Sequence, residues 1–391
     1  MLFRRGALSA VSAVALAPFA IALLTQEPAM APLVYSADPS DPWNIVHSLL
    51  LSEPEGAARP RPLPGWAGDD PPDFFFLVDP GPPGSGPRLQ RLVDRLENEA
   101  RQPRLDGRTI EARVLFQQDL WRIFDETFRG EGGVPAELRN PLGRLLARLS
   151  PTPAELGQLR PNWPDIASAF PMLEPGLLQG AGGWRELRAV FPNPQGTTQH
   201  AAVAGHRRLF RVFARLPPGA SVADLGPPEA RRDLPLGSQV VLVESPIALA
   251  STGELHAVPL MVGVELRQTP PPGRSRSAVR AVLHASRLAL SRGDRTGGGL
   301  RAIPEDALVR GSLTCYGFKQ PLEPLRTACN RCHGGSGRLL QTGSVGSDFR
   351  LEMLDPNNTR EQDAVLRVKA TSPEYRALAG FFRAPASPRP E

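Results

Sequence analysis

Cys329-Asn330-Arg331-Cys332-His333 sets two thiols three positions apart and an imidazole directly behind the second. The chain holds only 3 Cys and 6 His in 391 residues, so a chance occurrence of this pattern has a probability on the order of 10⁻⁴ to 10⁻³. Thiols at this gap reach two vinyl groups along one edge of a porphyrin and add across them. The histidine is then carried beneath the ring, where its imidazole binds the iron. That is the attachment chemistry of haem c. Three plainer readings use the same residues. Cys329 and Cys332 pair as a disulfide, redox-active or merely structural. With Cys315 and His333 they make a Cys3His zinc site, although the adjacent Cys332 and His333 would have to bend back onto one tetrahedral metal. Or the pattern is kept without being loaded.

The five residues resemble the haem-attachment motif of the c-type cytochromes. The resemblance covers the motif and the tail behind it, and it implies an exported chain, because such cytochromes receive haem on the outer side of the membrane. It also implies single-electron transfer with a redox partner that the sequence does not identify. Phe116-Gln117-Gln118-Asp119-Leu120-Trp121-Arg122-Ile123-Phe124-Asp125 is similar to a stretch in exported, uncharacterised proteins that carry one late C-x-x-C-H; this second resemblance brings no known activity.

In small cytochromes a methionine well downstream supplies the sixth iron bond. Behind His333 there is no further histidine and one methionine, Met353, 20 residues on. Glu352 and Asp355 flank it, which suggests a partly solvated stretch, so Met353 is a metal-ligand candidate beside the plainer expectation that it packs. His284 and Met261, folding over from upstream, are the other candidates for the distal side. This departure from the usual spacing keeps open a haem enzyme or gas sensor with an open iron position.

These residues must be delivered outside the cytoplasm, and the N-terminus is built for that. Arg4 and Arg5 precede an apolar stretch from Gly6 to Thr25, and Ala29-Met30-Ala31 is an A-x-A site. Pro32 disfavours cleavage there, and the stretch is nearly long enough to remain as an anchor. The reading is a signal peptide or N-terminal anchor over 1–31, with a periplasmic or otherwise extracytoplasmic body and no membrane contact except through that anchor. The net charge is +5, and every basic residue except Lys319 and Lys369 is arginine. The arginines are scattered among 40 acids without a long basic run, so no nucleic-acid partner is expected.

The chain holds 44 prolines, and a proline-rich lead covers 32–87, where Asp41-Pro42 opens a short helix and Phe74 to Val78 reads as a short strand or anchoring strip. Residues 88–172 read as a helical domain. Leu89, Leu92, Val93, Leu96 and Ala100 mark one helix, Glu111 to Phe128 a second and Pro135 to Leu149 a third. A fourth opens at Pro153 behind Thr152. The aromatic stripe of the second helix reads as core. Residues 173–310 change period and read as an antiparallel β-rich domain. Arg208 to Leu216 alternates, Gln239 to Glu244 and Ala257 to Leu266 form a hairpin-like pair around Ser251-Thr252-Gly253-Glu254, and Ala278 to Leu290 leans to strand. Residues 311–391 form the mainly helical or irregular haem-bearing region. The fold class expected is therefore α+β.

No phosphate-binding loop, dinucleotide fingerprint, G-x-S-x-G elbow or H-E-x-x-H occurs in the chain. Asp69, Asp70 and Asp73 read as a solvated loop, and His200, His206, His256 and His284 as ordinary histidines. The function expected is single-electron transfer by one haem c. The alternative from another class is an exported binding or structural protein with a Cys329–Cys332 disulfide.

Overall fold

A computed structural model of the chain describes residues 35–51, 86–105, 107–128, 136–190, 208–221, 234–268, 278–303, 308–310, 322–324, 350–354, 366–367 and 369–383. Over these the protein is α+β, with helices packed on an antiparallel sheet.

The helices begin where the local chemistry dictates. In α1 (Pro42–Leu51) the Asp41 carboxylate accepts from the Trp43 amide at 2.8 Å, and Pro42 occupies the first turn, where no backbone N–H is needed. α2 (Gly86–Arg101) carries the Leu92, Leu96 and Ala100 stripe inward. α3 (Ile110–Glu126) is capped by Thr109, which accepts from the Ala112 amide at 3.1 Å. Its Phe116, Leu120, Ile123 and Phe124 are buried, as expected of core. The third expected helix starts later than its pattern suggested. A 3-10 turn spans Ala136–Leu138, and α4 runs Arg139–Leu149. Pro141 accounts for this: its ring would clash with the carbonyl of residue 137 in a continuous α-helix, so it is tolerated only in a first turn. α5 (Pro153–Leu156) has a reciprocal cap, Thr152 and Glu155 each accepting the other's amide at 3.2 and 2.6 Å. α6 (Trp163–Ala169) follows, a helix the periodicity did not mark.

The sheet runs β10-β1-β2-β3-β5-β6-β7, antiparallel throughout: β1 Trp184–Val190, β2 Arg208–Arg215, β3 Gln239–Leu249, β5 Gly263–Gln268, β6 Ala278–Ala285, β7 Leu300–Ala302 and β10 Arg350–Leu354. β4 (Leu255–Ala257) pairs with the far end of β3, and β8 (Leu308–Arg310) pairs with β9 (Leu322–Pro324). The expected hairpin is present in altered form. The strand expected from Ala257 to Leu266 divides into β4 and β5, since Pro259 between them has no N–H for a ladder. The strand expected through Leu290 stops at Ala285. Ser286 then accepts the Ala289 amide at 3.2 Å and starts α7 (Arg287–Ser291), so a capping serine ends the alternation. β10 comes from beyond residue 310, and so the sheet takes an edge strand from the C-terminal stretch. α8 (Pro373–Arg383) closes the described chain, Ser372 accepting from the Tyr375 amide at 3.1 Å.

Packing crosses residue 172. One core joins α2, α3 and α4 to Ile247, Ala248, Leu249, Val258 and Leu260, and α8 adds Leu378. A second lies between α6 and the sheet, around Trp163, Ile166, Trp184, Phe213 and Val241. A third, with Leu187, Val212, Ala214 and Val240, sits on the other face of the sheet.

Two amide side chains staple helices to strands. Gln117 accepts the Leu249 N–H at 2.8 Å and donates to the Leu249 carbonyl at 2.9 Å. Asn162 accepts the Met261 N–H at 2.7 Å and donates to the Met261 carbonyl at 2.9 Å and the Gly298 carbonyl at 2.7 Å. Asn162 thus supplies the ladder partner that the break after Pro259 removes. Gly298 makes this approach possible: at φ +66°, a Cβ there would meet the Asn162 carbonyl oxygen at 2.8 Å. Asn162→Leu should therefore destabilise the protein by roughly 3–5 kcal/mol, because one N–H and two carbonyls lose buried partners at about 1–3 kcal/mol each. Urea unfolding checks this; a loss within about 1 kcal/mol, the level of a single ordinary hydrogen bond, would refute the clamp.

Candidate functional site

Cys315, Cys329, Cys332 and His333 lie outside the described residues, as do Asp69, Asp70, Asp73, Phe74 to Val78, His200 and His206. The stretch bearing the C-x-x-C-H pattern leaves β9 at Pro324 and is taken up again by β10 at Arg350. Met353 is in β10, in register with Leu187 of β1. His284 is in β6, in register with Gly263 and Arg301. Met261 is buried in the second core, where its sulfur accepts the Ser245 hydroxyl at 3.3 Å. His256 stands 3.9 Å from Glu254, partly exposed. Among the described residues no three His, Cys, Asp or Glu side chains form a metal-binding group, and no helix is long and apolar enough to cross a membrane.

What the described residues do bring together is a buried ionic and aromatic network around Asp119. Arg287, 2 % exposed, reaches both oxygens of Asp119: Nη2 to Oδ1 at 2.7 Å and Nε to Oδ2 at 3.1 Å. The Tyr35 hydroxyl donates to Asp119 Oδ2 through a short bond. Arg208 at the start of β2 is ion-paired with Glu244 of β3. Burial pushes the Arg208 guanidinium down to about 10, against the raising influence of Asp119, and it stays a cation at neutral pH. Gly263 lies opposite Glu244 in the ladder and leaves the room its carboxylate occupies, since a Cβ there would meet Oε2 at 2.7 Å.

The segment before α1 is strapped onto this network. The Tyr35 amide donates to Asn44 Oδ1 at 2.8 Å, and the Tyr35 ring meets Trp43 and Phe116 edge-on, at 5.7 and 5.0 Å between centroids. Trp43 stacks on Phe116 at 4.5 Å and donates its indole N–H to Glu99 at 3.1 Å. Arg108 lies 4.4 Å over the Trp43 ring and forms an ion pair with Asp41.

Burial raises the Asp41 carboxyl, but hydrogen bonds from Arg108, Ser36 and the Trp43 amide outweigh it, so it titrates below its ordinary 3.8. Burial raises Glu155 as well, and the Thr152 amide and Arg113 carry it below 4.5. Both groups are depressed in the folded state. Their stabilisation is complete above the unfolded values, about pH 4, and is lost as pH falls through the lower folded values. Asp41→Asn should flatten the acid limb of stability against pH. Unfolding midpoints across the acid range check this, and an unchanged slope would count against it.

Sequence reading passed over the network. Its one local signal is Gln117-Gln118-Asp119, three polar residues between the buried Phe116 and Leu120, themselves almost wholly buried. A helix buried on every face must give its polar residues partners. Here α3 is held to β3 through Gln117 to Leu249 and Gln118 to Ile247, and to α7 through Asp119 to Arg287.

The chain finds no significant match among known protein families, curated proteins or solved structures.

Proposed function

We propose that this is an exported electron-transfer protein carrying one haem c, held through Cys329 and Cys332 with His333 as the proximal ligand. The observation that carries the reading is the C-x-x-C-H pattern in a chain so poor in cysteine and histidine. The donor set fits the group: two thiols for the tether and one imidazole for the iron. When bound, the haem supplies a one-electron iron couple. The leader over 1–31 supports it by delivering the body outside the cytoplasm. In this reading residues 88–172 and 173–310 form the helical and β-rich parts of a scaffold, and 311–391 carries the haem.

The lone downstream Met353 favours a second reading, a haem with a weak or open distal position. Its backbone lies in a strand paired with β1. Expression with haem-maturation machinery, followed by a denaturing gel stained for haem, tests the main reading: stain must follow the polypeptide. Carbon monoxide uptake by the reduced protein then separates the open position from a methionine-ligated carrier.

A further inference from the structure

Tyr35 and Trp43, 2 % and 0 % exposed, each direct their acidic hydrogen at a buried carboxylate. Tyr35 O–H donates to Asp119, 7 % exposed, and Trp43 Nε1–H to Glu99, 3 % exposed. Removing an electron from a phenol makes its O–H strongly acidic. In a dry core the proton leaves only if a base already stands at hydrogen-bond distance, since an isolated buried charge is costly. Asp119 is such a base, and Arg287 holds it in place through two bonds. The two rings are not equivalent. Both donate to a carboxylate, but the Arg108 guanidinium lies directly over the Trp43 ring and opposes positive charge on the indole.

We propose that Tyr35 is a proton-coupled redox residue, the place where an oxidising equivalent reaching this core comes to rest. The oxidant is a one-electron oxidant of the peroxyl-radical class. It takes one electron from the Tyr35 phenol and becomes a hydroperoxide anion. The phenolic O–H bond breaks, and the proton passes to Asp119 Oδ2. What remains is a neutral phenoxyl at Tyr35, a neutral carboxylic acid at Asp119 and the Arg287 guanidinium, whose charge no longer has the Asp119 anion opposite it; the step proceeds because an oxidised phenol is a far stronger acid than a carboxylic acid. A one-electron donor reverses the step, and the proton returns. Trp43, with its centroid 5.7 Å away, exchanges the equivalent with Tyr35, and Arg108 tips that exchange towards tyrosine. None of this requires the proposed haem.

The test is flash oxidation of the full chain by photogenerated ruthenium(III) tris-bipyridine, with freeze-trapping and electron paramagnetic resonance. A tyrosyl signal is expected, lost in Tyr35→Phe and kept in Tyr375→Phe, whose hydroxyl donates to the Gly253 carbonyl at 2.7 Å. A signal that survives Tyr35→Phe overturns the assignment, as does its absence from the wild type. The acceptor is tested without a destabilising variant. With Asp119 as acceptor, the rate of radical formation is independent of buffer-base concentration; a rate that climbs with buffer means the proton goes to solvent and removes Asp119 from the step.

Discussion

If the chain carries haem c as proposed, serine at both Cys329 and Cys332 should remove every trace of haem that survives denaturation, while a single substitution should leave at most one thioether. The reasoning is stoichiometric. Each thiol takes one vinyl group, so the pair determines whether the porphyrin is a covalent part of the chain. His333→Ala has a different signature, because the iron loses its proximal imidazole and the reduced spectrum changes even where a tether remains. Mass spectrometry of the matured wild type gives the reference: the intact chain should carry the added mass of one haem. A wild-type chain that emerges from haem-maturation machinery with no added mass and no Soret band ends the haem reading and leaves the disulfide, the zinc site and the unloaded pattern. A Met353→Ala variant that loses the methionine-to-iron charge-transfer band would instead restore a conventional electron carrier.

Asp119→Ala costs about 3–5 kcal/mol of folding stability, and Arg287→Met about as much, because each leaves the partner's charge buried and uncompensated. Asp119 sits on α3 and Arg287 at the start of α7, both almost wholly out of water. Bidentate contact makes the pair geometrically strict, and the Tyr35 hydroxyl adds a further donor to Asp119. Removing both charges with apolar residues of similar size, Asp119→Leu with Arg287→Met, should cost much less than the sum of the single changes, since neither orphan remains. The double-mutant cycle is read from urea midpoints. Additive losses would show that the two side chains stabilise the fold through separate contacts, and the network would lose its centre.

The sequence by itself determined what is decided within a few residues. The C-x-x-C-H pattern writes its expected chemistry in five positions. The helix starts at Asp41-Pro42 and Thr152-Pro153 are local, because a side-chain oxygen two or three residues from an unpaired amide caps it wherever the helix ends up. α3 and β2 were legible because their apolar residues recur at the period of the backbone, although the structure goes further and buries both faces of β2 and nearly all of α3. Even so, Pro141, Pro259 and Ser286 shifted boundaries that periodicity alone had drawn.

Only the tertiary structure decided which distant surfaces meet. Tyr35 reaches Asp119 across 84 positions, and Arg287 reaches it across 168. Met353 is brought beside Leu187 because β10 pairs with the open edge of β1, and a strand five residues long carries no local mark of its partner. Asn162 is an ordinary polar residue until Met261 arrives with an unpaired N–H and carbonyl. Propensity acts through neighbours along the chain. The clamps and the buried ion pair arise because a packed interior leaves few polar groups without a partner, and that demand is settled only when the helices and the sheet close on each other.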